Sequence, residues 1–227
     1  MKNILYCFIL IVLFSCGKDK VILLPEINHS KISEIQDVSA AYLFYDETKK
    51  DSVELNRKNL ISTTNWLVNV DKRLTLKQAM PHIKYLQEKK ANSSHKKENV
   101  KNFFTCNNSI KKSLGFVEFT KQDYILTHAN NALNLEEIYW LNFYSKDSIT
   151  LTVNSKNSSI TRKITTLNYL DSYLKDLFSK NEIDNHNLKM NLYFNTNLTF
   201  QNYISFKSTL NKLDFSPIEI SNNEYIY

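Results

Sequence analysis

The sequence predicts an α+β protein made of two tandem β-β-(β-α)-β-α-β repeats. Three collinear self-similarities carry that prediction. Lys50-Asp51-Ser52-Val53-Glu54-Leu55 returns as Lys146-Asp147-Ser148-Ile149-Thr150-Leu151. Trp66, Val68, Val70, Leu74 and Thr75 return as Met190, Leu192, Phe194, Leu198 and Thr199. Val117 to Ile125 returns as Ile218 to Ile226. Matches that keep their order along a chain fix its architecture before any single element is assigned. The composition, 42% apolar with 12% aromatic residues, is that of a chain that folds, and 227 residues can bury one large core or two small ones. Two glycines and three prolines leave the turns to Asn, Asp, Ser and Lys, and exclude a Gly-rich phosphate cradle.

Residues 1–15 read as a targeting segment. Lys2 precedes an apolar run from Ile4 to Phe14 that ends in Leu13-Phe14-Ser15-Cys16-Gly17. That run is too short for a bilayer span, which takes about 20 residues, so it reads as a cleaved signal. The Leu-x-Ser-Cys ending resembles a bacterial lipobox, which implies lipidation of Cys16; Phe14 stands where a smaller residue is usual. An ordinary secretory signal cut at another bond is the alternative. Gly17-Lys18-Asp19-Lys20 resembles the segment after the lipid cysteine in surface-exported lipoproteins of the Bacteroidetes. The expected location is the bacterial cell envelope, with the membrane reached through lipid on Cys16 and with either the periplasmic or the outward side open. Cys7 leaves with the signal, so Cys106 is alone and no intrachain disulfide is expected.

Residues 16–39 read as a tether with one strand at Val21–Leu24. Repeat A covers 40–127. Tyr42–Tyr45 and Ser52–Leu55 are its first strands, and Trp66, Val68 and Val70 alternate on a third. Thr75 caps a helix whose Leu76, Ala79, Met80, Ile83 and Leu86 share a face. Pro81 inside it removes a hydrogen bond and is expected to kink it. Leu114–Phe119 is the returning strand. The stretch 89–112 holds seven lysines and one acid, Glu98, and reads as an insertion.

A joint at 128–134 leads to repeat B, 136–227. Strands are expected at 138–144, 148–153 and 159–165. Thr166 caps a helix bearing Leu167, Leu170, Leu174, Leu177 and Phe178. Met190, Leu192 and Phe194 alternate on a strand, and Thr199 caps a helix with Phe200, Tyr203, Phe206 and Leu210. Strands at 215–220 and 225–227 close the chain.

Leu188-Lys189-Met190-Asn191-Leu192-Tyr193-Phe194, then Asn195-Thr196-Asn197-Leu198-Thr199-Phe200, then Leu210-Asn211-Lys212-Leu213-Asp214-Phe215 resemble the periplasmic domain of the ExbD/TolR biopolymer-transport family. The family often has Asp where Asn195 stands; repeat A has Asp71 there. The resemblance implies a pairing module that binds partners and, in TolR-like members, the cell wall. Two in tandem would form an internal pseudo-dimer. The family's transmembrane helix with its aspartate is replaced here by the lipobox, so energy transduction is not implied.

Chemistry finds little support in the residues. His29, His82, His95, His128 and His186 lack metal-ligand spacing, no Gly-x-Ser-x-Gly elbow occurs, and no cofactor is expected. Asp71-Lys72-Arg73 reads as a turn. The formal charge of +6 is accounted for by 89–112, and 26 lysines against three arginines argue against nucleic acid. The candidate contact residues are Lys89, Lys90, Lys96, Lys97, Lys101, Lys111 and Lys112, which would meet an anionic polymer or acidic protein, unless the segment is a solvated loop. The expected function is a non-enzymatic lipoprotein that binds an envelope protein or cell-wall polymer. An envelope polymer-modifying enzyme and a structural spacer are the alternatives.

Overall fold

The computed structural model describes residues 20–95, 97–126, 139–155, 158–164, 169, 172, 173, 176, 189–213 and 219–227. The signal segment, Cys16, Lys96, the joint at 128–134 and nearly all of the helix expected at 166–179 lie outside them. Among the described residues the fold is α+β, with two mixed six-stranded sheets and two long helices.

The first sheet comprises β1 (Glu26–Ile27), β2 (Val38–Tyr45), β3 (Val53–Asn56), β4 (Asn65–Val70), β5 (Asn102–Asn108) and β6 (Ser113–Glu118). Helix α1 (Leu76–Ala91) separates β4 from β5. The second sheet takes β7 (Asp123–Leu126), then β8 (Tyr139–Ser145), β9 (Ser148–Ser155), β10 (Ser158–Ile164), β11 (Lys189–Phe194) and β12 (Glu219–Ile226), with α2 (Phe200–Leu210) after β11.

The strand orders match. The first sheet runs β1-β5-β4-β2-β3 and the second runs β7-β12-β11-β8-β9-β10, with β6 pairing with β5 in the first. In both, the middle strand (β4 or β11) has parallel neighbours on each side, and a hairpin strand closes one flank. Trp66 and Met190 therefore hold the same seat in β4 and β11, one residue after the strand start. The hairpins differ by two residues of register: Leu43 faces Leu55, whereas Phe143 faces Ile149. An even shift keeps every side chain on its own face of the sheet.

Three boundaries differ from those expected. The stretch 89–112 is not an insertion, because it contains β5. This strand lies parallel to β4, with Phe103, Phe104 and Cys106 buried. Lysines at both ends mask its apolar middle in any charge count. Leu114–Phe119 is consequently not the strand beside β4; β6 runs antiparallel to β5. Residues 123–126 do not close the first sheet but edge the second, parallel to β12. The edge position occupied by β7 is held in the first sheet by β1, which lies inside the expected tether. Chain order thus puts one short edge strand before each core, so the third self-similarity joins elements that are not equivalent.

The tether reading fails from Lys20 onward. No strand forms at Val21–Leu24; the strand is Glu26–Ile27, paired with Asn107 and Asn108. Glu26 N–H donates to Gln201 Oε1 (2.8 Å) and Gln201 Nε2 returns a bond to the Glu26 carbonyl (2.9 Å). Gly115 lets the segment pass, since a Cβ there would lie 2.9 Å from Ile27 Cδ1 and Ser30 Cβ. The apolar residues of 21–24 look like a strand, but they lie across strand ends, where no partner strand is available.

Both helices begin as the sequence predicts. Thr75 accepts from Gln78 N–H (3.3 Å) while Gln78 Oε1 accepts from Thr75 N–H (2.9 Å), a reciprocal capping box. Thr199 accepts from Asn202 N–H (3.2 Å). The helix runs on through Pro81 as one span to Ala91. The first free N–H groups of each helix, which have no partner within their own helix, are satisfied by the other half. Leu76 N–H donates to Leu198 C=O (2.8 Å) and Phe200 N–H to Leu74 C=O (2.6 Å). Lys77 N–H donates to Thr196 C=O (2.9 Å) and Gln201 N–H to Lys72 C=O (3.2 Å). Each bond becomes its partner when n and n+124 are exchanged. Helix α1 packs on β7, whereas α2 packs on β1 and β6. One hydrophobic core takes residues from both sheets and both helices.

Candidate binding surface

Helix α1 runs antiparallel to β4, so its last turn returns to the amino ends of the parallel strands. There Lys90, Asn102 and Trp66 meet. The apolar positions 76, 79, 83 and 86 continue at 90, which drives Lys90 inward at alternating three- and four-residue spacing. Its ammonium donates to the Lys101 carbonyl (3.0 Å) and to Asn102 Oδ1 (2.9 Å), and lies 5.0 Å from the Trp66 ring centroid. Loss of hydration on burial lowers its pKa to about 8.

Around this residue opens a cleft of about 430 Å³, lined by Lys84, Gln87, Glu88, Lys90, Lys97, Asn102 and Asp123 among others. A neighbouring depression of about 610 Å³ is lined by Leu60, Trp66, Tyr85, Lys89, Asn92 and Ser93. The rim is held by ion pairs. Lys97 reaches Asp37 (2.9 Å), Lys101 reaches Glu118 (2.9 Å), and Lys84 lies 3.6 Å from Glu88 while donating to the Tyr124 carbonyl (2.9 Å).

The predicted contact lysines therefore do not form one patch. Lys89, Lys97 and Lys101 are exposed at the cleft end, and Lys90 is a buried structural cation rather than a surface contact. Lys111 and Lys112 sit in the β5–β6 turn, beyond the seven-residue β5, which at ~3.3 Å per residue places them ~20 Å away. Lys96 lies outside the described residues.

Two further buried charged groups escaped the sequence reading. Glu224 on β12 and Lys207 on α2 form an ion pair in the core, both under a tenth exposed. Tyr203 donates to Glu224 Oε2 (2.7 Å), and its hydroxyl lies 3.2 Å from that of Tyr124 on β7. Burial, with the Glu224 charge adding to it, raises the pKa of both tyrosines well above the ordinary value. The spacing of Phe200, Tyr203, Lys207 and Leu210 was the available signal, since it places a lysine on the apolar face. With α1 aligned to α2, Ile83 and Phe104 take the seats of Lys207 and Glu224. None of the four network residues lines either cleft.

The Asp71 turn is structural. Its buried carboxylate accepts from Arg73 Nε (2.9 Å), Arg73 N–H (3.1 Å) and Leu23 N–H (3.2 Å). Burial pushes its pKa up, but the bonds from Arg73 and Leu23 outweigh this and the net shift is downward. In the second half Asn195 makes the same turn without the charge, its Oδ1 accepting from Asn197 N–H (2.8 Å). The Cys106 thiol is buried in β5 and its pKa is raised by lost solvation, the opposite of an activated nucleophile. Burial lowers the pKa of half-buried His82. Among the described residues, no three His, Cys, Asp or Glu side chains are grouped to hold a metal ion.

Comparison of the chain with protein-family models, curated proteins and solved structures found no match.

Proposed function

We propose that this chain is a lipid-anchored lipoprotein of the bacterial cell envelope that binds a protein or cell-wall polymer without catalysis. The observation that carries the binding reading is the fate of its buried charges. Asp71, Lys90, Lys207 and Glu224 are the charged residues buried among those described, and each has an internal partner. Groups used in this way position strands and helices, and Asp71, Lys207 and Glu224 lie away from the cleft. The surface cleft at the end of α1 then offers Lys84, Glu88, Lys97 and Asp123, a mixed set suited to polar contacts with a partner. The Leu13-Phe14-Ser15-Cys16 ending supports the anchor.

The scaffold is two copies of an ExbD/TolR-like unit paired as an internal pseudo-dimer. Matching strand orders and the four exchange-related hydrogen bonds at Thr75 and Thr199 support this reading. On this reading the units begin at β1 and β7, and each helix is capped by the other unit.

Photocrosslinking in cells tests the binding proposal. A crosslinking residue at Glu88 should capture a discrete envelope component, whereas one at exposed Lys163 on β10 should not. Equal capture from both positions, or none from Glu88, would sink it.

A further inference from the structure

Resting on the lipid-anchor reading, we infer that the carboxyl end of the first sheet's parallel strands lies on the lipid surface, with the α1 cleft facing away. The chain is fixed from Lys20 onward. Lys20 Nζ bonds Asp46 (2.9 Å) after β2 and also Glu54 on β3. Leu23 N–H donates to Asp71 Oδ2 (3.2 Å), and its carbonyl accepts from Lys72 N–H (2.7 Å) just after β4. The Pro25 carbonyl accepts from Asn107 N–H (2.8 Å) on β5. Residues 20–25 therefore cross the ends of β3, β2, β4 and β5 in turn. Four peptide steps separate Cys16 from Lys20, a reach of at most ~14 Å at 3.3–3.6 Å per residue. A body held that closely must present this end to the membrane.

The chemistry of that end suits a lipid surface. Val21 is 72% and Ile110 71% exposed, the latter beside exposed Lys111 and Lys112. Lys20, Glu26, residues 46–54, 71–73 and 109–114 together hold one more Lys and Arg than Asp and Glu. Apolar side chains flanked by lysines favour the boundary between headgroups and acyl chains. The opposite end, with Asn92 and the cleft, is set off by the 16 residues of α1, ~24 Å at 1.5 Å per residue.

The test places the lipidated protein in phosphatidylcholine vesicles carrying a spin-labelled headgroup quencher. Single fluorophores go on Lys50→Cys, Ile110→Cys or Asn92→Cys; the parent chain, whose Cys106 is buried, is the labelling blank. The expected result is quenching several-fold stronger at positions 50 and 110 than at 92. Protein that floats with the vesicles but is quenched equally at all three positions, or most at 92, overturns the orientation alone. Protein that does not float and carries no lipid on Cys16 overturns the anchor reading and the orientation with it.

Discussion

Replacing Lys207 by Met leaves the Glu224 carboxylate fully buried with Tyr203 as its side-chain donor among the described residues. Breaking a buried pair by removing one partner costs ~3–5 kcal/mol. Glu224→Leu should cost a similar amount, because it strands the ammonium. The double variant removes both charges together, and the corresponding seats in the first half already hold Ile83 and Phe104. What remains is the loss of Tyr203's bond to the carboxylate, ~1–2 kcal/mol, while its contact with the Tyr124 hydroxyl is kept. The two single changes should therefore couple by at least ~3 kcal/mol. Urea unfolding of a soluble form beginning at Gly17, with the slope checked for two-state behaviour, measures the cycle. Single variants that lose under ~1 kcal/mol would refute the placement of these groups in the core, and so would a double variant that loses the sum of the two.

Three further outcomes follow from the same geometry. Lys90 has a folded pKa of about 8 against an ordinary 10.5, so between these values the unfolded chain alone carries the proton. Stability should then rise with pH across that window, and Lys90→Met should flatten the rise when the two unfolding curves are compared. Gly115→Ala forces a Cβ against Ile27 and Ser30 and should cost ~1–3 kcal/mol. Hydrogen exchange should speed up at residues 20–32 specifically; a uniform change across the sheets would contradict the packing described. If the two units satisfy each other's helix starts, the unlipidated chain should be a monomer by light scattering, and an obligate dimer would count against the internal pairing.

Elements with a clean period were legible in the sequence. Trp66, Val68 and Val70, the Thr75 and Thr199 caps and the apolar face of α1 appear where alternation and spacing put them. β5 was hidden because charge dominates its flanks while its core residues, Phe103 to Cys106, are few. β1 has two residues and pairs with a strand some 80 positions away, so no local signal marks it. β7 falls inside the expected repeat A without a strand assigned to it, yet it edges the second sheet, since register across a chain joint leaves no trace in local pattern. The lysine cluster misled for a related reason: net charge along the chain says nothing about which lysines turn inward, and Lys90 does. Helical phase would have found it, as it would have found Lys207.

The anchor and the orientation both presuppose one covalent event. The intact mass of the protein extracted from cell membranes reads it directly. The account predicts a chain that has lost residues 1–15 and begins at Cys16 carrying thioether-linked diacylglycerol. A mature chain cut elsewhere, or one whose Cys16 is an unmodified thiol, would contradict it.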